Sequence, residues 1–113
     1  MSHSASALAP AIAAYIDAAN ARDTSRVGSF FAEDANVFDE GQHQIGTQAI
    51  AQWMQDTAER YQPRVEVLGV QQRTGKVLVN GLISGTFPGS PLELRYMFRL
   101  NDQGKIARLD ISL

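Results

Sequence analysis

Residues Asn20–Gly41 read NARDTSRVGSFFAEDANVFDEG, and how they are read decides what the rest of the chain can build. Asp23 and Thr24 are residue types that cap helix N-termini, because a short side-chain oxygen accepts from N–H groups that have no partner in the first turn. Val27, Phe30 and Phe31 then recur at helical spacing, Ala32-Glu33-Asp34 breaks the pattern, and Asn36 to Glu40 favours an extended strand. The stretch therefore predicts a helix end, a short helix, a turn, and a strand that delivers Asp39 to where Phe30, Phe31 and Phe38 converge. Two readings of Asp39 follow. A carboxylate among aromatic rings is desolvated, so its pKa rises and it becomes a useful proton acceptor. Alternatively it ends a strand facing water, as most carboxylates do.

Upstream, Leu8, Ile12, Tyr15, Ile16 and Ala19 fall on one helical face while Asp17, Asn20 and Arg22 fall elsewhere, so an amphipathic helix with Pro10 in its first turn and Tyr15 inward is expected. A buried tyrosine hydroxyl needs a partner, which a backbone carbonyl or a substrate can equally supply. Downstream, Gly41-Gln42-His43-Gln44-Ile45-Gly46 reads as a loop, and Thr47 as the N-cap of a helix with Ile50, Trp53, Met54, Thr57 and Tyr61 on one face, closed by Pro63. Trp53 and Met54 are core or pocket wall at this spacing. His43, in the loop beside Asp39, either assists proton transfer or is simply solvated.

From Arg64 onward the chain is strand territory. Arg64–Arg73, a Thr74-Gly75 turn and Lys76–Phe87 predict a long hairpin. Pro88–Pro91 turns into Leu92–Leu100, and Asn101–Gly104 turns into a last strand, Lys105–Leu113. Gly69, Gly81 and Gly85 inside the strands predict bends or bulges, and with them a strongly curved sheet. Apolar residues alternate onto both faces: Val65 and Val67 against Leu68 and Val70, Val77 and Val79 against Leu78 and Leu82. Two apolar faces predict a homodimer through the outer sheet face, unless one face merely switches at a glycine bulge. The whole is a single α+β domain over residues 1–113, with residues 1–6 expected to be frayed.

A net charge of −2 with scattered Lys and Arg argues against nucleic-acid partners. There is no cysteine, and His3 and His43 make a poor nucleus for a metal, so neither a metal nor another cofactor is expected. The start lacks the basic residues of a secretory signal, and the apolar run Leu8–Ile16 is too short to span a bilayer, which makes the cytoplasm the expected location and a membrane an unexpected partner.

The order of elements resembles the nuclear transport factor 2-like superfamily. Within it, YIDAANARDTSRVGSFFAEDANVFDEG (15–41) resembles the start of ketosteroid isomerases and SnoaL-like polyketide cyclases, and FRLNDQGKI (98–106) resembles their final hairpin. The resemblance covers Leu8 to Leu113. It implies a cone-shaped α+β roll of three N-terminal helices packed on a strongly curved, mainly antiparallel sheet, with an apolar small molecule as substrate or ligand. Tyr15 matches the isomerases' oxyanion-donor tyrosine and Asp39 their proton-shuttling carboxylate. Tyr96 stands where they carry a protonated Asp, a departure that keeps a donor and changes the pocket's length. Glu40 departs too, standing where they often have Pro.

By this resemblance Asp39, Tyr15 and Tyr96 are the candidate catalytic residues, with Phe30, Phe38, Trp53, Met54, Phe87 and Phe98 around the substrate. The chemistry implied is proton abstraction next to a carbonyl, as an isomerase or a polyketide cyclase performs it. An epoxide-hydrolase variant would use Arg108 and Asp110 to activate water. The alternative is a noncatalytic ligand-binding or dimeric association domain of the same fold, since one fold hosts many functions.

Overall fold

A computed structural model describes residues 8–113; the expected fraying of residues 1–6 lies outside them. The elements are α1 (Pro10–Ala21), α2 (Val27–Phe30), β1 (Phe31–Asp39), β2 (Gln42–Ile45), α3 (Thr47–Tyr61), β3 (Arg64–Arg73), β4 (Lys76–Ser84), β5 (Leu92–Leu100) and β6 (Ile106–Ser112). One sheet runs in the order β2-β1-β6-β5-β4-β3. Only β1 and β6 pair in parallel, and the other neighbours are antiparallel. The α+β expectation and its mainly antiparallel sheet hold. The helical part is corrected: α1 and α3 are long, α2 is a single turn, and α3 follows two strands rather than joining an N-terminal group of three. None of the described helices is long and apolar enough to cross a membrane.

Local chemistry explains where the elements begin and end. Pro10 opens α1, where its missing N–H costs nothing, and Arg22 closes it in the left-handed region at φ 54°. Asp23 does not cap α2. Its carboxylate accepts from the backbone and hydroxyl of Ser25 at 2.9 and 2.6 Å, so it shapes the turn before Val27. Phe31, expected in the short helix, already begins β1. Glu40 and Gly41, at φ 52° and 77°, are the central pair of a two-residue hairpin, so Gln42–Ile45 is a strand against β1 and not the expected loop. Thr47 is the first helical residue of α3, and Gly46 takes the cap position without a side-chain bond.

The core lies between the helices and one face of the sheet. Ile12, Tyr15 and Ile16 of α1 and Ile50 and Met54 of α3 meet Val37, Val65, Val77, Val79, Tyr96, Phe98 and Leu109. Asn20 ties α1 to β3: its amide donates to the carbonyl of Val65 and accepts from that residue's N–H, at 3.0 and 2.7 Å. The register between β3 and β4 slips between Val67 and Gly69, so Val65, Val67 and Val70 lie opposite Ile83, Gly81 and Val79 and share the inner face. The two-sided look of β3 was therefore a bulge, as Gly69 signals. On the outer face remain Leu78 and Leu82 of β4 and Met97 of β5, with Arg95 and Arg99 between and beside them. Gly81 and Gly85 are not bulges. A Cβ at Gly81 would come within 3.0 Å of the Tyr96 ring, and at Gly85 it would strike the Tyr61 carbonyl.

Candidate active site

Strand alternation decides which aromatic residues Asp39 can meet. Val37 is fully buried and lies opposite Leu109 of β6, so Asp39, two residues on, shares the inner face. Phe38 is therefore turned to the outer face, where it lies opposite Asp110 and its ring sits 4.7 Å from that of His43. His43 in turn bonds the Asn36 side chain at 2.9 Å and is exposed. Neither Phe38 nor His43 belongs to the site. The same alternation puts Arg108 and Asp110 on the outer face as an ion pair at 2.9 Å, away from any pocket on the inner side.

On the inner face Asp39 meets Trp53, whose indole N–H donates to Oδ2 at 3.1 Å. Burial raises the Asp39 pKa from its ordinary 3.8. The indole bond and the Glu40 backbone N–H work against that rise, and the nearby Glu40 charge adds to it. Tyr15 and Tyr96, 4% and 5% exposed, line one cavity together with Asp39, whose charge acts on both. Burial above all raises both phenol pKa values, so each hydroxyl keeps its proton at neutral pH and serves as a donor.

The two tyrosines are held by the residues behind them. The Tyr15 ring stands edge-on to Phe31, Phe98 and Phe30, with centroids 5.8, 5.9 and 6.4 Å away. Tyr96 stacks on Phe98 at 6.3 Å, with its other side over the bare backbone of Gly81. Phe98 and Phe30 are thus the packing that fixes the tyrosine rings; neither lines the cavity they were expected to line. Among the described residues neither hydroxyl bonds a protein group. Yet among these residues no buried side-chain nitrogen or oxygen lacks a partner. The hydroxyls are therefore not sealed in the core; they open onto the cavity that both residues line.

That cavity holds about 600 Å³. Trp53, Met54 and Phe87 line it, as expected, together with Val65, Ile83, Leu94 and Ile111, which the sequence reading did not single out. Their signal was available in the period-two pattern of the strands once the Gly69 bulge is allowed for. The role of Gly81 carried no comparable signal, because the ring it accommodates comes from the neighbouring strand. No group of three or more potential metal ligands occurs among the described residues. What the cavity offers is one carboxylate of raised basicity, two neutral hydroxyl donors, mainly apolar walls and a rim that carries Arg22, Asp23, Glu40 and Tyr61.

The pattern that defines the SnoaL-like domain matches residues 12–109. The chain belongs to the SnoaL-like family. A candidate polyketide cyclase from Sinorhizobium meliloti is 38% identical to this SnoaL-like chain and superposes with a TM-score of 0.88 over 93% of this chain and 95% of its own. Two more distant structures share the fold. A protein from Catenulispora acidiphila with a ketosteroid isomerase-like fold, solved with trimethylamine, is 17% identical, with a TM-score of 0.79 over 92% of this chain and 85% of its own. An epoxide hydrolase of M. tuberculosis is 18% identical, with a TM-score of 0.73 over 91% and 79%. No curated protein sequence matches this one.

Proposed function

We propose that this SnoaL-like protein is an acid–base enzyme of the isomerase or cyclase kind, acting on an apolar carbonyl compound. The observation that carries the reading is the pair of buried tyrosines whose hydroxyls bond no protein group among the described residues and open, with Asp39, onto one mainly apolar cavity. A cluster that existed only for the core would satisfy itself internally.

In the proposed reaction the substrate carbonyl accepts hydrogen bonds from Tyr15 and Tyr96. Asp39 takes a proton from the adjacent carbon, and the electron pair of that C–H bond moves into the carbonyl to give an enolate. The charge that develops on oxygen is what preorganised donors stabilise most. In an isomerase Asp39 returns its proton to a different carbon. In a cyclase the enolate carbon attacks a second carbonyl of the same molecule and closes a ring. Trp53 is a positioning residue: its N–H holds Oδ2 and so fixes the orientation of the carboxylate. The 38% identical candidate cyclase supports the family of reactions without choosing between them.

Trp53 is the only tryptophan and bonds the candidate base, so its fluorescence reports on the site. Titration with 2-naphthol, whose oxygen imitates an enolate, is expected to change that fluorescence saturably, with weaker binding in Tyr15→Phe. Absence of saturable binding would overturn the enzyme reading in favour of a noncatalytic domain. The reading includes a homodimer through the outer sheet face, where Phe38, Leu78, Leu82 and Met97 are only half-buried and Ile45 is 64% exposed. Sedimentation at micromolar concentration tests it, and a monomer would contradict it.

A further inference from the structure

The cavity carries polar groups both at its buried side and at its exposed rim. Tyr15 and Tyr96 stand at the buried side with Met54, Val65 and Ile83, all under 10% exposed, while Asp39 is half-buried next to Glu40. At the exposed end lie Arg22, Asp23, Glu40 and Gly41, with Tyr61 half-buried beside them. Of these rim groups, one pair is built in a way that turn formation alone does not explain. Glu40 occupies the first central position of a hairpin turn at φ 52°, a conformation that suits Asn, Asp or Gly and disfavours a longer side chain. The residue nevertheless lines the cavity, and its Oε1 accepts the Tyr61 hydroxyl at 3.1 Å.

Tyr61 is itself fixed from several sides. Its ring is edge-on to Phe87 at 5.9 Å, and its carbonyl accepts the Thr86 N–H at 2.7 Å. The Arg60 guanidinium lies 5.6 Å from its centroid. The Tyr61 carbonyl also sits where Gly85 alone leaves room. A carboxylate held at the rim by an immobilised hydroxyl is a preorganised acceptor, and among the described residues its Oε2 has no hydrogen-bond partner. The other acid there, Asp23, gives its Oδ1 to both bonds from Ser25 and shapes the turn before α2.

We infer that the ligand is bipolar: besides the carbonyl read by Tyr15 and Tyr96, it carries a hydrogen-bond donor, a hydroxyl, at its far end, and Glu40 held by Tyr61 is the subsite for it. This rests on the proposed function for the buried end and adds the chemical class of the other end. It also accounts for Glu40 at a turn position that does not suit it. An acceptor confined in place favours ligands that bring a donor, whereas an isolated mobile carboxylate would recover little of the cost of ordering it.

The test compares 4-phenylphenol, 4,4′-biphenol and 4′-hydroxybiphenyl-4-carboxylic acid, each titrated against Trp53 fluorescence. The inference expects 4,4′-biphenol to bind about five- to tenfold more tightly than 4-phenylphenol, the scale of a hydrogen bond to a charged acceptor. In Glu40→Asn, which gives the turn a preferred residue one methylene shorter, that ratio falls to about one while the melting temperature rises. In Tyr61→Phe the ratio falls part of the way. Equal binding of the two phenols by the wild-type protein overturns the subsite and leaves the buried end intact. Tightest binding by the carboxylic acid also overturns it, and assigns the rim to Arg22. If none of the three binds, the oxyanion reading and the subsite fall together. A ratio unchanged in Glu40→Asn overturns the role given to Glu40.

Discussion

Asp39 and Asp110 lie on opposite faces of the same sheet, one inner and one outer, on the paired strands β1 and β6, and their surroundings make them different reagents. Asp110 is 35% exposed and held by a guanidinium, with Arg108 Nε and Nη2 donating to its two oxygens at 3.0 and 2.9 Å. Both oxygens are committed and water screens the pair, so it has little to offer a substrate. Among the described residues Asp39 has one side-chain donor, the neutral Trp53 indole, and it lines a mainly apolar cavity together with two phenols that bond no described residue. Residue type therefore says little about reactivity. What distinguishes the two carboxylates is which face they sit on and whether their partner neutralises them.

Four predictions break or sharpen that contrast, in descending order of expected effect. First, Asp39→Asn lowers the rate of proton exchange next to a ketone carbonyl by about 100- to 10,000-fold, the usual worth of a positioned base, while Asp110→Asn changes it less than about twofold. Similar losses at both sites would remove the distinction between the faces. Second, loss of either donor by Tyr15→Phe or Tyr96→Phe costs about 100- to 1,000-fold in the same rate. A full effect at Tyr15 with none at Tyr96 would leave the cavity with one donor. Third, Gly81→Ala pushes a methyl against the Tyr96 ring and displaces its hydroxyl, for a loss of about tenfold in the rate with Tyr15 untouched.

The fourth prediction concerns stability. The folded-state pKa of Asp39 lies above its ordinary 3.8, so the native protein holds a proton that the unfolded chain has released. Stability therefore falls as pH rises from 3.8 through the raised value, and above it the ionised buried carboxylate exacts its full cost. Urea unfolding of Asp39→Asn at pH 7 is expected to show a higher midpoint than the wild type, with the gap closing below pH 3.8. Arg108→Ala on the outer face is expected to cost no more than about 1 kcal/mol and to lose that effect in high salt.

The sequence disclosed much of this because several local signals agreed. Pro10, the helical spacing around Tyr15, the Thr74-Gly75 turn and the glycine in β3 each pointed to elements that the structure contains. The deep part of the candidate site was also legible, since Tyr15, Asp39 and Tyr96 line one cavity with Trp53, Met54 and Phe87. Phe38 lies outside the cavity although it adjoins Asp39, because proximity in sequence is not proximity in space. Adjacent residues of a strand point to opposite faces, and Asp39 and Phe38 cannot both face inward. Phe30 and Phe98 were misplaced by one layer: aromatic neighbours of a polar site are as often the packing behind it as its wall, and no one-dimensional pattern separates the two. The hairpin at Glu40-Gly41 was missed because a Glu at positive φ hides a turn that Asn-Gly would have announced.

The most direct test of the contrast between the two faces is NMR-detected deuterium exchange from solvent into 2-tetralone, at the carbons beside its carbonyl. The wild-type protein and Asp110→Asn are both expected to accelerate exchange over buffer, and Asp39→Asn is expected to return it to the buffer rate. Equal acceleration by the wild type and Asp39→Asn would contradict the account.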